Sequence, residues 1–96
     1  MNKYKYGLKQ TSRFKRDYKL AKKQGLDTEI LKYVIDELLL GHTLEPKYLD
    51  HPLIGDYEGF RECHLQSDWL LIYGKDEKNL VVTAVRTGTH SNLFQK

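Results

Sequence analysis

At 96 residues and a formal charge of +3, the chain can bury one hydrophobic core but cannot also hold a separate functional module, so one domain over residues 1–96 is expected. Its one cysteine, Cys63, excludes an internal disulfide, and no apolar run approaches the ~20 residues that a membrane helix needs. The N-terminus lacks the apolar core of a signal segment, which points to a cytoplasmic protein with no membrane partner.

The charge is divided unevenly. Residues 1–25 hold nine Lys or Arg and one Asp, whereas residues 26–96 hold seven basic and twelve acidic groups. A cationic N-terminal quarter favours a polyanion or an acidic protein surface as partner.

In chain order, Tyr4 to Leu8 alternate weakly between aromatic or apolar residues and lysine, which predicts a first strand. Thr11 or Ser12 then offers an oxygen to the free amides of a helix start. In that helix Phe14, Tyr18 and Ala21 share one face, while Lys15, Arg16, Lys19, Lys22 and Lys23 cluster on the opposite arc. Gly25 suits its C-terminal stop. Asp27 or Thr28 caps a second helix whose wide stripe, Ile30, Leu31, Val34, Ile35, Leu38 and Leu39, should lie flat on a sheet, and Gly41 ends it.

From His42 to Glu58 no periodic pattern survives Pro46, Pro52 and Gly55, yet Tyr48, Leu49, Leu53, Ile54 and Tyr57 are too apolar for disorder. An ordered loop that holds His51 in place is expected. Three strands follow. In the first, Gly59 to Leu65, alternation puts Phe60, Glu62 and His64 on one face and Arg61, Cys63 and Leu65 on the other. The second, Trp69 to Tyr73, is continuously apolar and should be covered on both faces. Asp76 to Asn79 make a polar turn, and Leu80 to Arg86 form the third strand, broken by Thr87, Gly88 and Thr89. His90 to Phe94 fit one helical turn. The fold class is therefore α+β: an N-terminal strand, a helical hairpin, then an antiparallel β-meander forming one sheet with the helices packed on it. The sense in which the first strand joins that sheet is left open.

Three of the four histidines fall at His51, His64 and His90, near Arg86 and several carboxylates. Cleaving an RNA phosphodiester without metal needs a base for the 2′-hydroxyl, a cation for the charged phosphorane and an acid for the departing 5′-oxygen. Imidazoles suit the proton work near neutral pH, and a guanidinium fork matches two phosphate oxygens. Glu62 and His64 share a strand face, Arg86 ends a neighbouring strand, and His90 follows a tight turn that can fold it back. Asp68, in the turn after His64, can fix an imidazole tautomer or itself accept a proton. Three histidines and an aspartate also suit zinc, but there is no HExxH, HxH or paired-cysteine spacing, so no metal or other cofactor is expected. Cys63, Trp69 and Tyr73 are read as packing residues, and His42 as a bystander.

Several spaced segments carry a resemblance: Asp50-His51-Pro52-Leu53 with Gly55, Gly59-Phe60-Arg61-Glu62-Cys63-His64, Asp68-Trp69-Leu70-Leu71-Ile72-Tyr73, and Arg86-Thr87-Gly88-Thr89-His90-Ser91 with Leu93-Phe94. Together they resemble the YafQ branch of the RelE-type bacterial toxins over about half the chain. The resemblance implies a RelE-like microbial ribonuclease fold and a ribosome-dependent endoribonuclease that cuts mRNA in the ribosomal A site. It also implies a cognate antitoxin that holds the toxin inactive, with operator DNA a partner only through that complex.

By motif, His51, His64, Asp68, His90 and Phe94 match the family's active-site positions. Arg86 opens the RTGTH motif and is the phosphate-stabilising candidate; Glu62, standing where the YafQ type often has aspartate, is a supporting carboxylate. Within that frame His51 or Asp68 activates the 2′-hydroxyl, His90 is the general acid, His64 holds the phosphate and Phe94 packs on a base or the rim. The basic arc from Lys15 to Lys23 would grip ribosomal RNA. A ParE-like toxin or interaction protein without nuclease activity, on the same scaffold, is the alternative, and it has no need of the histidines.

Overall fold

Thr11 is where the chain turns from sheet to helix. Its hydroxyl accepts the Phe14 amide at 2.9 Å, capping helix α1 (Ser12–Lys23), and donates to the Val85 carbonyl at 2.7 Å, which ties the helix start to the last strand. The computed structural model describes residues 3–94. Strand β1 (Gly7–Gln10) precedes α1, and helix α2 (Thr28–Leu39), capped by Asp27 through the Glu29 amide, follows it. Strands β2 (His51–Pro52), β3 (Arg61–Gln66), β4 (Trp69–Asp76) and β5 (Val81–Gly88) come next, and a short helix α3 (His90–Leu93), capped by Thr89, ends the described fold.

The strands form a five-stranded sheet in the order β1-β5-β4-β3-β2. β3, β4 and β5 are the expected antiparallel meander, and β1 joins β5 in parallel, Gly7 opposite Val81. One face of the sheet packs against the helices. Leu31, Val34 and Leu38 of α2 and Phe14 and Ala21 of α1 are buried with Cys63, Leu65, Leu71, Tyr73, Val82 and Ala84. Each such large side chain stabilises the fold by roughly 1.5–3 kcal/mol. Leu70 and Ile72 point the other way, into a smaller cluster with Leu53, Tyr57, Phe60, Val85 and Leu93. β4 is thus apolar on both faces, as its unbroken hydrophobic run predicts.

Four expectations need correction. The first strand starts at Gly7 rather than Tyr4, because the Lys5 and Tyr6 amides bond the Leu39 carbonyl at the end of α2, and the Tyr4 and Tyr6 hydroxyls bond Asp36 and Glu77. The segment after α2 is not purely loop. It holds two single 3₁₀ turns, Pro46–Tyr48 and Gly55–Tyr57, and between them the two-residue β2 paired to β3. The strand expected from Gly59 begins at Arg61, because the Phe60 amide closes a turn on Tyr57. β5 runs on to Gly88, since Thr87 and Gly88 still pair with Leu71 and Leu70.

Candidate active site

Cross-strand register sets the site. His51 on β2 lies opposite Glu62 on β3, Glu62 opposite Ile72 on β4, and Ile72 opposite Arg86 on β5. Directly opposed residues share a sheet face, so His51, Glu62 and Ile72 lie on the face away from the helices, while Arg86, at a register shift between β4 and β5, sends its guanidinium to α1. His64, two residues beyond Glu62, joins the same face. Alternation on β3 is therefore as expected, with Cys63 and Leu65 turned into the helix-side core.

β2 is short, and polar contacts on its other side hold it. The Asp50 carboxylate accepts the buried Tyr73 hydroxyl at 2.8 Å and Arg61 Nε at 3.2 Å. Burial first, then the bond to Asp50, push the Tyr73 phenol up, so it stays a donor. Leu49, at φ 49°, presents its carbonyl 2.6 Å from His51 Nδ1. That bond puts the His51 ring hydrogen on Nδ1 and leaves Nε2 to the site. Nε2 lies 3.4 Å from a Glu62 carboxylate oxygen, and His64 Nε2 lies 3.6 Å from the same oxygen. Glu62 is only 3% exposed, so a buried carboxylate underlies both imidazoles.

The C-terminal turn brings in the third histidine. Ser67, at φ 34°, reverses the chain between β3 and β4 and sets Asp68 beside α3. Asp68 Oδ1 accepts His90 Nδ1 at 2.8 Å and the His90 amide at 3.3 Å. The imidazoles of His51 and His64 have centroids 6.0 Å apart, His64 and His90 5.8 Å, and His90 and the Phe94 ring 6.0 Å. Tyr57 stands edge-on to Phe94 at 5.7 Å.

Hydrogen bonds from the His90 ring and backbone hold the Asp68 carboxyl below its ordinary 3.8. A lowered acid gives a clamp that is fully present above that value and is lost as pH falls through the lower one. An NMR titration of the Asp68 carboxyl carbon is expected to find its midpoint below 3.8, with the His90 amide shifting in step. A midpoint at or above the ordinary value would mean that no such clamp holds in solution.

Arg86 does not project freely. Its Nε and Nη2 donate to the Asp17 carboxylate at 2.8 and 3.2 Å, and the nearby Tyr57 also favours its charge. The bond to Asp17 holds the guanidinium firmly protonated. Sequence reasoning passed over Asp17 and treated Tyr57 only as a loop anchor. The basic residues Lys15, Arg16, Lys19, Lys22 and Lys23 are all on α1, and all are exposed. Cys63 is sealed in the core, where burial pushes its thiol up, and Trp69 is a buried packing residue.

His51, Glu62 and His64 also form a group whose ligand atoms all lie within 4.8 Å of one another. Two imidazoles and a carboxylate are a donor set that suits a divalent transition metal, and the His51 Nδ1 bond to a backbone carbonyl is the usual outer support of such a ligand. Alternation along β3 had put Glu62 and His64 together, but spacing gave no hint of His51, which the pairing of β2 with β3 brings in.

A family profile described as bacterial toxin of type II toxin-antitoxin system, YafQ, matches residues 6–95. The chain is 41% identical over 86 residues to the mRNA interferase toxin YafQ of Escherichia coli K12, an alignment covering 88% of this chain and 90% of that one. The toxin in the crystal structure of the E. coli DinJ-YafQ toxin-antitoxin complex superposes with a TM-score of 0.86 at 35% identity, covering 94% of this chain and 98% of that one. A metal-bound toxin from Helicobacter pylori superposes with a TM-score of 0.87 at 39% identity, covering 93% and 99%. Fold and sequence agree across nearly the whole length, and the chain belongs to the YafQ family of bacterial type II toxin-antitoxin toxins.

Proposed function

We propose that this chain is an endoribonuclease toxin that cuts mRNA in the ribosomal A site by metal-free acid–base catalysis and is neutralised by a cognate antitoxin. The three imidazoles set in a row, two on strands and the outer one on α3 clamped by a carboxylate, support this chemistry most directly. His51 takes the 2′-hydroxyl proton at Nε2, and the imidazolium so formed pairs with Glu62. The 2′-oxygen attacks phosphorus, and the bond to the 5′-oxygen breaks as His90, its Nδ1–H held by Asp68, delivers a proton from Nε2. The products are a cyclic phosphate and a 5′-hydroxyl. Asp68, bonded through Oδ1 to the His90 ring and amide and held in its charged form, orients the acid, and the base role falls to His51. His64 contacts the phosphate between them, Arg86 adds charge from the far end of the row, and Phe94 walls the site beside His90.

Incubating the protein with mRNA alone and with programmed ribosomes, chelator present, tests the whole reading. Cuts on ribosomes that leave 5′-hydroxyl ends and persist in chelator support it; cleavage that requires added metal overturns it. A divalent metal held by His51, Glu62 and His64 would occupy both Nε2 atoms, so added zinc is expected to inhibit.

The basic face of α1 grips ribosomal RNA. Changing Lys15, Lys19 and Lys22 to Gln should weaken ribosome binding, and every phosphate thereby left without its lysine should flatten the slope of log affinity against log salt by about 0.7 to 0.9. Unchanged binding would return this face to ordinary solvated surface.

A further inference from the structure

Asp17 is the sole acidic residue among the first 25, yet it does not serve the lysines around it. Its side chain is 15% exposed and turned inward to an Arg86 side chain that is 13% exposed. One carboxylate oxygen accepts both Arg86 Nε and, at 3.1 Å, the Thr87 amide; the other accepts Arg86 Nη2. The Thr87 bond has a topological cause. β1 pairs with β5 only as far as Ala84, and the Thr11 amide and hydroxyl take the Ala84 and Val85 carbonyls, so the next edge amide of β5 has no strand beside it. Asp17 fills that gap from α1. It fixes the guanidinium through its Nε–Nη2 edge and leaves the remaining N–H groups for other acceptors. Tyr57, which favours the charge of Arg86, meets Phe94 with its ring, and Phe94 packs on His90.

We infer that Asp17 is a positioning residue for RNA cleavage, acting through Arg86: it sets the direction in which the guanidinium faces the substrate phosphate and steadies the end of β5 from which His90 and Phe94 hang. This rests on the ribonuclease reading above. Asp17→Asn keeps the shape and an acceptor for Thr87 but removes the charge and half of the fork.

Cleavage on programmed ribosomes is compared for the parent, Asp17→Asn, Arg86→Gln and the double variant, at a temperature where circular dichroism shows all four folded. Asp17→Asn is expected to lower kcat about tenfold to a hundredfold with KM nearly unchanged, as for a misplaced charged group. In the Arg86→Gln background the same change should do nothing further. In ¹⁵N NMR of the free protein the Arg86 Nε–H signal should be protected in the parent and lost in Asp17→Asn.

Full turnover of Asp17→Asn beside an impaired Arg86→Gln overturns the role of Asp17 and leaves the nuclease reading intact. An equal loss in both backgrounds overturns action through Arg86. A fully active Arg86→Gln removes Arg86 from catalysis, and Asp17 with it. Absence of cleavage by the parent protein overturns the nuclease reading itself, while a protected Nε–H in Asp17→Asn overturns the latch without any appeal to activity.

Discussion

His90→Ala is expected to slow cleavage on programmed ribosomes by about 10²- to 10⁴-fold, the range for losing a positioned general acid. The fold should survive. His90 begins a four-residue helix whose cap comes from Thr89, and its exposed ring bonds the equally exposed Asp68, so stability should change by no more than about 0.5 kcal/mol. Quench-flow or gel kinetics measure the first quantity and thermal melting the second. A variant that cuts at the parent rate would take His90 out of the mechanism, and the proton for the 5′-oxygen would need another source.

The second large effect is expected at a residue that touches no substrate. Asp50→Ala strips the partner from the Tyr73 hydroxyl, whose residue is 1% exposed, while Arg61 can still turn its head to water. A buried donor left without an acceptor costs about 1–3 kcal/mol. For a domain of this size each kcal/mol lowers Tm by roughly 4–8 °C. Activity should fall as well, because Asp50 fastens the residue just before His51 to β3 and β4, and β2 has only two paired residues of its own. The two losses can be separated. Asp50→Ala combined with Tyr73→Phe removes both members of the buried bond and should regain most of the Tm, yet it should not regain cleavage, because β2 stays unfastened. Recovery of both together would mean that Asp50 serves the core alone.

The helices and the meander were legible because each follows one strong rule. Thr11 and Asp27 cap where an oxygen-bearing residue precedes an apolar stripe, and alternation along β3 put Glu62 and His64 on one face. β2 was not legible, since a two-residue strand with a proline has no period and exists only through its partner. The shift of β1 has a similar cause: Tyr4 and Tyr6 look like strand residues, but their hydroxyls and neighbouring amides are claimed by α2 and by Glu77.

At the site, motif likeness named the histidines, and the register of β2 on β3 explains why His51 meets His64. Asp17 had a signal that went unused. It lies three residues after Phe14 and four before Ala21, on the buried stripe of α1, where a lone carboxylate must have a buried partner. Alternation gave the Glu62 and His64 part of the metal-sized group, but the approach of His51 carried no linear signal, because the pairing of β2 with β3 creates it.

Cys63 sits directly between Glu62 and His64 and, across β3 and β4, opposite Leu71, with no exposed surface. Its thiol faces the core between sheet and helices, so a reagent can reach it only when the helices lift from the sheet or β3 itself comes away, and β3 carries two of the site's side chains. Labelling kinetics at this sulfur therefore clock the opening of the core that lies beneath the site, with no RNA in the tube.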